Sequence, residues 1–278
     1  MEGRQLSSQK DITVAVAAHK PYCMPNDKCY LPLHVGADLH PEVCLDMQQD
    51  NLGDNISQKN ASYSELTGMY WLWKNCSSFY KGLVHYRRHF KTIDPSKVKS
   101  KNPFDLIAGS EDFKEVFDST NSQVIVPKAR NYYIDTVEAH YRHTLPGEQL
   151  DATRAALNCY CPKYIPAFER EMSGTKAHLF NMFVAEGVVF NAYCEWLFFV
   201  LEKIESSLDS TEYDAFNARW PGRISEMLLD TWLSTNDIKL AEMPPLARNQ
   251  LTGLLRVAVF WQPSFLAKNI NVVFRSDN

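Results

Sequence analysis

Two arginines in succession close the run His85-Tyr86-Arg87-Arg88. Adjacent guanidinium groups offer about ten N–H donors and two permanent charges, which suits forked hydrogen bonding to a diphosphate. On one extended strand Arg87 and Arg88 would point to opposite faces, so only one would reach a given ligand. Strand-edge arginines paired with nearby carboxylates are the plain alternative. Lys59 and Asn60 stand just ahead of a segment with helical spacing, and a helix N-terminus attracts anions. Asn60 or Ser62 would equally serve as an ordinary cap, with Glu65 closing a capping box. Asp50, Asn51, Asp54 and Asn55 lie in a turn-rich loop, DNLGDNIS, which ends at Ser57. They offer partners for a ribose and base, or form a surface turn that needs no ligand. Glu226 follows Arg223 among apolar residues. A carboxyl held against such neighbours has its pKa raised and can act as a base, while a first-turn Glu favoured by the helix dipole is the structural alternative. His140 and His143 lie three apart on a predicted helix, with no third metal ligand in view.

These residues need elements to position them. Residues 12–18, ITVAVAA, read as a buried strand that ends at Pro21 and leaves His19 and Lys20 at its carboxyl edge. Residues 30–36 read as a second strand. A helix of about fifteen residues is expected from Ser62, because Tyr63, Leu66, Tyr70 and Trp73 recur at helical intervals. Residues 82–90, GLVHYRRHF, read as one strand, apolar at its start and charged at its end. Further strands are expected at 105–109, 123–127 and 178–185. Helical patterns cover 134–158, with an interruption at Pro146-Gly147, then 187–208, and a segment from Arg223. Strands interleaved with helices predict an α/β sheet covered on both faces.

Composition sets the frame. The chain has 278 residues, 45% of them hydrophobic, enough for one large domain. Net charge is −4, which argues against nucleic acid as a partner. Residues 245–278 carry Arg248, Arg256, Lys268 and Arg275 against Asp277, a balance of +3, leaving −7 on the rest. The expected organisation is a disordered tail over 1–11, one domain over 12–245 and a basic helical tail over 246–278. That tail would either meet an anionic membrane surface or dock on the domain. Seven cysteines without paired metal-site spacing read as reduced thiols. The first residues contain no apolar signal region, and no run reaches the length of a membrane span, so a cytoplasmic protein is expected. P-loop, GxGxxG, GxSxG and Asp-x-Asp motifs are all missing from the sequence.

The segments AAHKPY (17–22), LPLHVGA (31–37), DNLGDNISQKNASYSELTGMYWLWKN (50–75) and GLVHYRRHF (82–90) carry a resemblance. So do VIVPKARNYY (124–133), NMFVAEGVVFNAYCEWLF (181–198) and RISEMLLDTWL (223–233). In this order they resemble a family of bacterial glycosyltransferases from capsular and exopolysaccharide clusters, long catalogued as a domain of unknown function. The resemblance implies a GT-A-like, Rossmann-type fold with a helical C-terminal lobe. It also implies transfer of a hexosyl group, galactofuranosyl being the sugar most associated with the family, from a UDP-sugar co-substrate to a saccharide or lipid-linked saccharide. His19, Lys20, Asp50, Asn51, Asn55 and Ser57 would then face the nucleoside. Lys59, Asn60, His85, Tyr86, Arg87 and Arg88 would surround the diphosphate. Asn181 and Arg223 would border the acceptor, and Glu226 would be the base, with Glu65 and Asp50 in reserve. No essential cofactor is expected, since cations would do all or part of a metal's work, and manganese or magnesium is the ion to test. A non-catalytic nucleotide-sugar or glycan-binding subunit and a nucleotide-sugar phosphohydrolase remain open as alternatives.

Overall fold

The computed structural model describes residues 10–43 and 45–247. Its strands are Ile12–Ala18 (β1), Tyr30–His34 (β2), Gln48–Gln49 (β3), Tyr80–His85 (β4), Arg88–Phe90 (β5), Val124–Pro127 (β6), Arg130–Asn131 (β7), Lys176–Ala177 (β8), Phe183–Glu186 (β9), Leu240–Met243 (β10) and Pro245–Ala247 (β11). Its α-helices are Asn60–Tyr63 (α1), Leu66–Asn75 (α2), Ser110–Thr120 (α3), Val137–Thr144 (α4), Glu148–Tyr160 (α5), Ile165–Ser173 (α6), Gly187–Ser207 (α7) and Trp220–Thr235 (α8).

The main sheet runs β10-β6-β9-β4-β1-β2-β3. Read from the β3 edge and numbered by their order in the chain, these seven strands run 3-2-1-4-6-5-7. The 3-2-1-4 half has the parallel Rossmann-type order, whereas β9 runs antiparallel to both β4 and β6. Strand β1 lies at the centre because it is apolar on both faces. Ala15 and Ala17 join the core beneath the helices, while Val14, Val16 and Ala18 join the core on the α3 side. Helices α5, α6, α7 and α8 pack on one another over the first core and form the helical lobe. This is the α/β architecture that the alternation of strands and helices predicts, and it fits the GT-A-like fold that the resemblance implies.

Several expected elements break, and each break has a local cause. The helix expected from Ser62 is split at Ser64, whose φ is +52°, so α1 and α2 meet at a corner. The Ser62 hydroxyl donates to the Lys59 carbonyl and caps nothing. The 82–90 strand is a hairpin, with Tyr86-Arg87 as its turn and His85 opposite Arg88. Residues 178–182 form a loop with φ of +82° at Phe180 and +49° at Asn181, so only Phe183 onward is strand. Residues 103–106 make a 3-10 turn, and Ile107 keeps one bridge to Lys91. Leu246 lies in β11, paired with β5, and the rest of the basic tail from Arg248 onward falls outside the described residues, as does most of the 1–11 segment. The six described cysteines form no disulfide. Among the described residues no helix is long and apolar enough to cross a membrane.

Candidate active site

The carboxyl ends of β1, β2 and β4 open onto a cavity of about 740 Å³, within the usual range of small-molecule sites. Ala17 and His19 come from the end of β1, Val35 from just past β2, and His85 to Arg88 from the β4–β5 hairpin. The α1–α2 corner supplies Asn60, Ser64 and Glu65, and the start of α8 supplies Arg219, Arg223 and Glu226. The hairpin turn explains how both adjacent arginines reach one space, which a continuous strand would forbid.

Four guanidinium groups line this cavity, those of Arg87, Arg88, Arg219 and Arg223. Among the described residues none of the four has a carboxylate within salt-bridge distance. Arg88 lies over the Phe180 ring at 4.5 Å, Arg87 over Tyr86 at 5.1 Å and Arg223 over Phe216 at 3.9 Å. Arg219 Nε donates to the Ser64 hydroxyl at 3.0 Å. Stacking on rings leaves the edges of the guanidinium groups, where the N–H donors lie, open to an anion.

The carboxyls are set among these charges. Burial pushes the Glu226 pKa up to about 8, and the nearby Glu65 carboxylate adds to the rise. The Phe180 backbone N–H, Arg88 and Arg223 pull the other way without cancelling it. Glu65 Oε1 accepts from Asn181 Nδ2 at 2.8 Å and lies 3.7 Å from His85 Nε2. His85 Nε2 faces the Phe180 carbonyl at 3.2 Å. A carbonyl only accepts, so Nε2 carries the hydrogen, and burial holds the ring neutral. Burial also lowers the His19 pKa, and the charges of Lys20, Arg87 and Arg219 lower it further. Lys20 Nζ sits 5.4 Å from the centroid of the Tyr86 ring and is not among the residues that line the cavity.

The other expected ligand contacts take structural places. Asp50 is fully buried, and its carboxylate accepts from the Gly36 and Ala37 N–H groups and from the Ser57 and Thr67 hydroxyls. It organises the loop after β2 and has no oxygen left for a nucleoside. Asn51 donates to Asp38, and Asn55 donates to the Asn51 and Gly53 carbonyls. Lys59 pairs with Glu205 on α7 at 2.6 Å and does not join the arginines. The Asn60 amide, though on the cavity wall, donates to the Ser64 carbonyl and the Thr67 hydroxyl. Asn181 is buried, with Nδ2 on Glu65 and the Gly222 carbonyl and Oδ1 accepting from Ser225, so it ties the corner to α8.

Arg219 and Phe180 escaped the sequence reading. Arg219, Arg223 and Glu226 recur at i, i+4 and i+7, a helical face that spacing alone would have revealed. Nothing in the sequence marks Phe180. Among the described residues no group of three or more His, Cys, Asp or Glu side chains gathers to hold a metal. His140 tilts against Tyr132 at 4.4 Å, and His143 lies 3.8 Å from Asp135.

With the fold and cavity defined, comparison places the chain. It belongs to the family described as a domain of unknown function, DUF4422, whose model matches residues 13–237. Among solved structures it is similar to the apo structure of WbbM, a bifunctional glycosyltransferase, with 26% identity and a TM-score of 0.75. That similarity covers 85% of this chain and 45% of the other, so the chain spans less than half the length of that protein. No curated protein matches.

Proposed function

We propose that this chain is a glycosyltransferase that moves a hexosyl group from a UDP-sugar to a saccharide acceptor in bacterial surface polysaccharide synthesis, with galactofuranosyl as the sugar of first choice. The observation that carries the reading is the set of four arginines that, among the described residues, form no salt bridge and surround one cavity that also holds Glu226. Fixed cations held in no direct salt bridge suit a diphosphate, and a carboxyl with a pKa near 8 suits proton abstraction. Family membership and the likeness to WbbM support the same class.

In a single displacement the acceptor hydroxyl oxygen bonds to the anomeric carbon while its proton passes to the Glu226 carboxylate. The bond from the anomeric carbon to the diphosphate oxygen breaks, and its electron pair leaves with UDP. Arg87 and Arg88 stabilise the charge gathering on that oxygen, a role worth about 2–4 kcal/mol per contact in related sites. His19 and Lys20 mark the nucleoside end. Manganese or magnesium remains to be tested as a further neutraliser of the diphosphate. The cytoplasm is the proposed compartment, with the basic segment from Arg248 as the part that would meet an anionic inner leaflet.

The test is a thermal-shift panel of UDP-, GDP- and TDP-sugars with manganese or with a chelator. The expected result is stabilisation by a UDP-sugar under both conditions, followed by acceptor-dependent UDP release. A panel in which no nucleotide sugar shifts the transition overturns the reading. UDP-sugar cleavage to sugar phosphate and UMP that ignores every acceptor would favour a phosphohydrolase instead.

A further inference from the structure

A smaller hollow of about 40 Å³ opens beside the main cavity. Thr144, Arg223 and Glu226 wall both spaces. Arg87, Arg88 and Arg219 belong only to the large one, whereas Tyr132, Tyr141, Leu179 and Met227 belong only to the small one. Glu226 therefore stands on the border between a cationic compartment and an apolar one. Much of the wall presents carbon, from Val137, Leu145, Leu179 and Met227, with His140 also in the lining, and two of the wall hydroxyls are already engaged. Tyr141 donates to Gln149 at 2.6 Å, and the Thr144 hydroxyl donates to the His140 and Tyr141 carbonyls.

Arg223 Nη1 supplies an independent observation, since it is buried and has no hydrogen-bond partner. A buried charged donor left unmet is costly, so the site is arranged to receive an oxygen. Arg223 and Glu226 lie three apart on α8 and share a face. One ligand hydroxyl on this border can accept from Arg223 and donate to Glu226 at the same time, which fixes the lone pair that attacks and the proton that leaves.

We propose that this hollow is the acceptor subsite. The attacking hydroxyl lies between Arg223 and Glu226, and a one-carbon arm of the acceptor sugar, methyl or hydroxymethyl, fills the space among Tyr132, Tyr141, Leu179 and Met227. The inference rests on the glycosyltransferase reading and adds a substrate class to it: acceptors that carry a single exocyclic carbon. A hollow that holds one water needs about 10–15 Å³, so the 40 Å³ here admits such an arm.

The test uses methyl hexopyranosides, their 6-deoxy counterparts and the pentopyranosides that lack the exocyclic carbon, each in gluco, galacto and manno series where the ring exists. Binding to the UDP-saturated protein is followed by saturation-transfer NMR, which needs no turnover. Hexosides and 6-deoxyhexosides are expected to bind about tenfold or more tighter than pentosides, with the strongest saturation on the arm's own protons. Leu179→Phe, which fills the hollow, should remove that preference and leave UDP affinity unchanged. Should that variant fail to fold, Tyr132→Ala should instead let a larger arm bind as well as hydroxymethyl. Equal binding of hexosides and pentosides by the unaltered protein overturns the proposal, as does no glycoside binding at millimolar concentration. Failure of UDP itself to bind is a separate result, and it strikes the glycosyltransferase reading.

Discussion

Glu226 is where the competing forces at this site are most evident. Its carboxyl is half-buried on α8, faces the Glu65 carboxylate and has Arg88 and Arg223 nearby. Burial and like charge outweigh the cations, so the carboxyl holds its proton at neutral pH and releases it near pH 8. A general base acts only when deprotonated, so kcat/KM should climb as pH rises through about 8. Glu226→Gln should lower kcat by about a thousandfold or more, with UDP affinity held within a few-fold; full activity in that variant would remove Glu226 as the base. The same pKa makes a stability prediction of opposite sign. A folded-state value raised from 4.5 to about 8 contributes stability that is complete below about 4.5 and is lost as pH rises through about 8. Glutamine never ionises, so Glu226→Gln should match the native protein at pH 5 and exceed it at pH 9 by at most about 5 kcal/mol. Urea denaturation at the two pH values reads the difference directly, and a variant less stable at both would show that the carboxyl serves packing instead.

At the level of elements, the loop between β8 and β9 holds the cavity's charged groups in place. Its Phe180 backbone directs the carbonyl at His85 and the N–H at Glu226, and its Phe180 ring lies under Arg88. Two successive residues at positive φ, neither of them glycine, keep that shape only because tertiary contacts hold them. His178 is one such contact: its backbone N–H and Nδ1 meet Asp230 of α8, and Nε2 meets Glu242 of β10 at 3.0 Å. Burial alone would lower the His178 pKa, but the two carboxylates more than offset it, and the net shift is upward. The clamp's contribution is therefore complete below about pH 6.5 and fades as pH rises through the raised value. His178→Gln should cost about 1–3 kcal/mol near pH 6, and less in alkaline solution, with kcat falling as the loop loosens. A destabilisation that grows with pH would contradict the clamp. This level also marks the limit of what the sequence reveals. β1, β4, β6, α7 and α8 declare themselves through apolar runs and helical periodicity, and so do the arginine pair and Glu226 through residue type. The breaks at Ser64, Tyr86-Arg87 and Phe180-Asn181 carry no glycine or proline to announce them. Lys59 and Asp50 looked like ligand contacts because their partners, Glu205 and the Gly36–Ala37 backbone, lie elsewhere in the chain and meet them only after folding.

Across the whole molecule, the net charge of −4 conceals a concentrated positive field. Four arginines face one cavity while acidic side chains are spread over the remaining surface, so field lines converge on the carboxyl ends of β1, β2 and β4. The depressed pKa of His19 registers that field, since Lys20, Arg87 and Arg219 add to the effect of burial there. Position divides the labour among the arginines. Arg87 and Arg219 are exposed at the mouth, whereas Arg88 is half-buried over Phe180. Exposed charges are screened within about 8 Å at physiological salt, so under the proposed function the outer pair would chiefly attract the diphosphate and the inner one would hold it. UDP affinity should therefore weaken as salt rises. Arg87→Ala and Arg219→Ala should each flatten that salt dependence while weakening binding only a few-fold. Arg88→Ala should weaken UDP binding by about ten- to a hundredfold at any salt concentration, and Arg88→Lys should recover only part of the loss, because a lysine keeps the charge without the guanidinium fork. Titration calorimetry at low and high salt separates these outcomes. If all three alanine variants bind UDP as tightly as the native protein does, the arginines do not hold a diphosphate and the charge concentration serves some other anion.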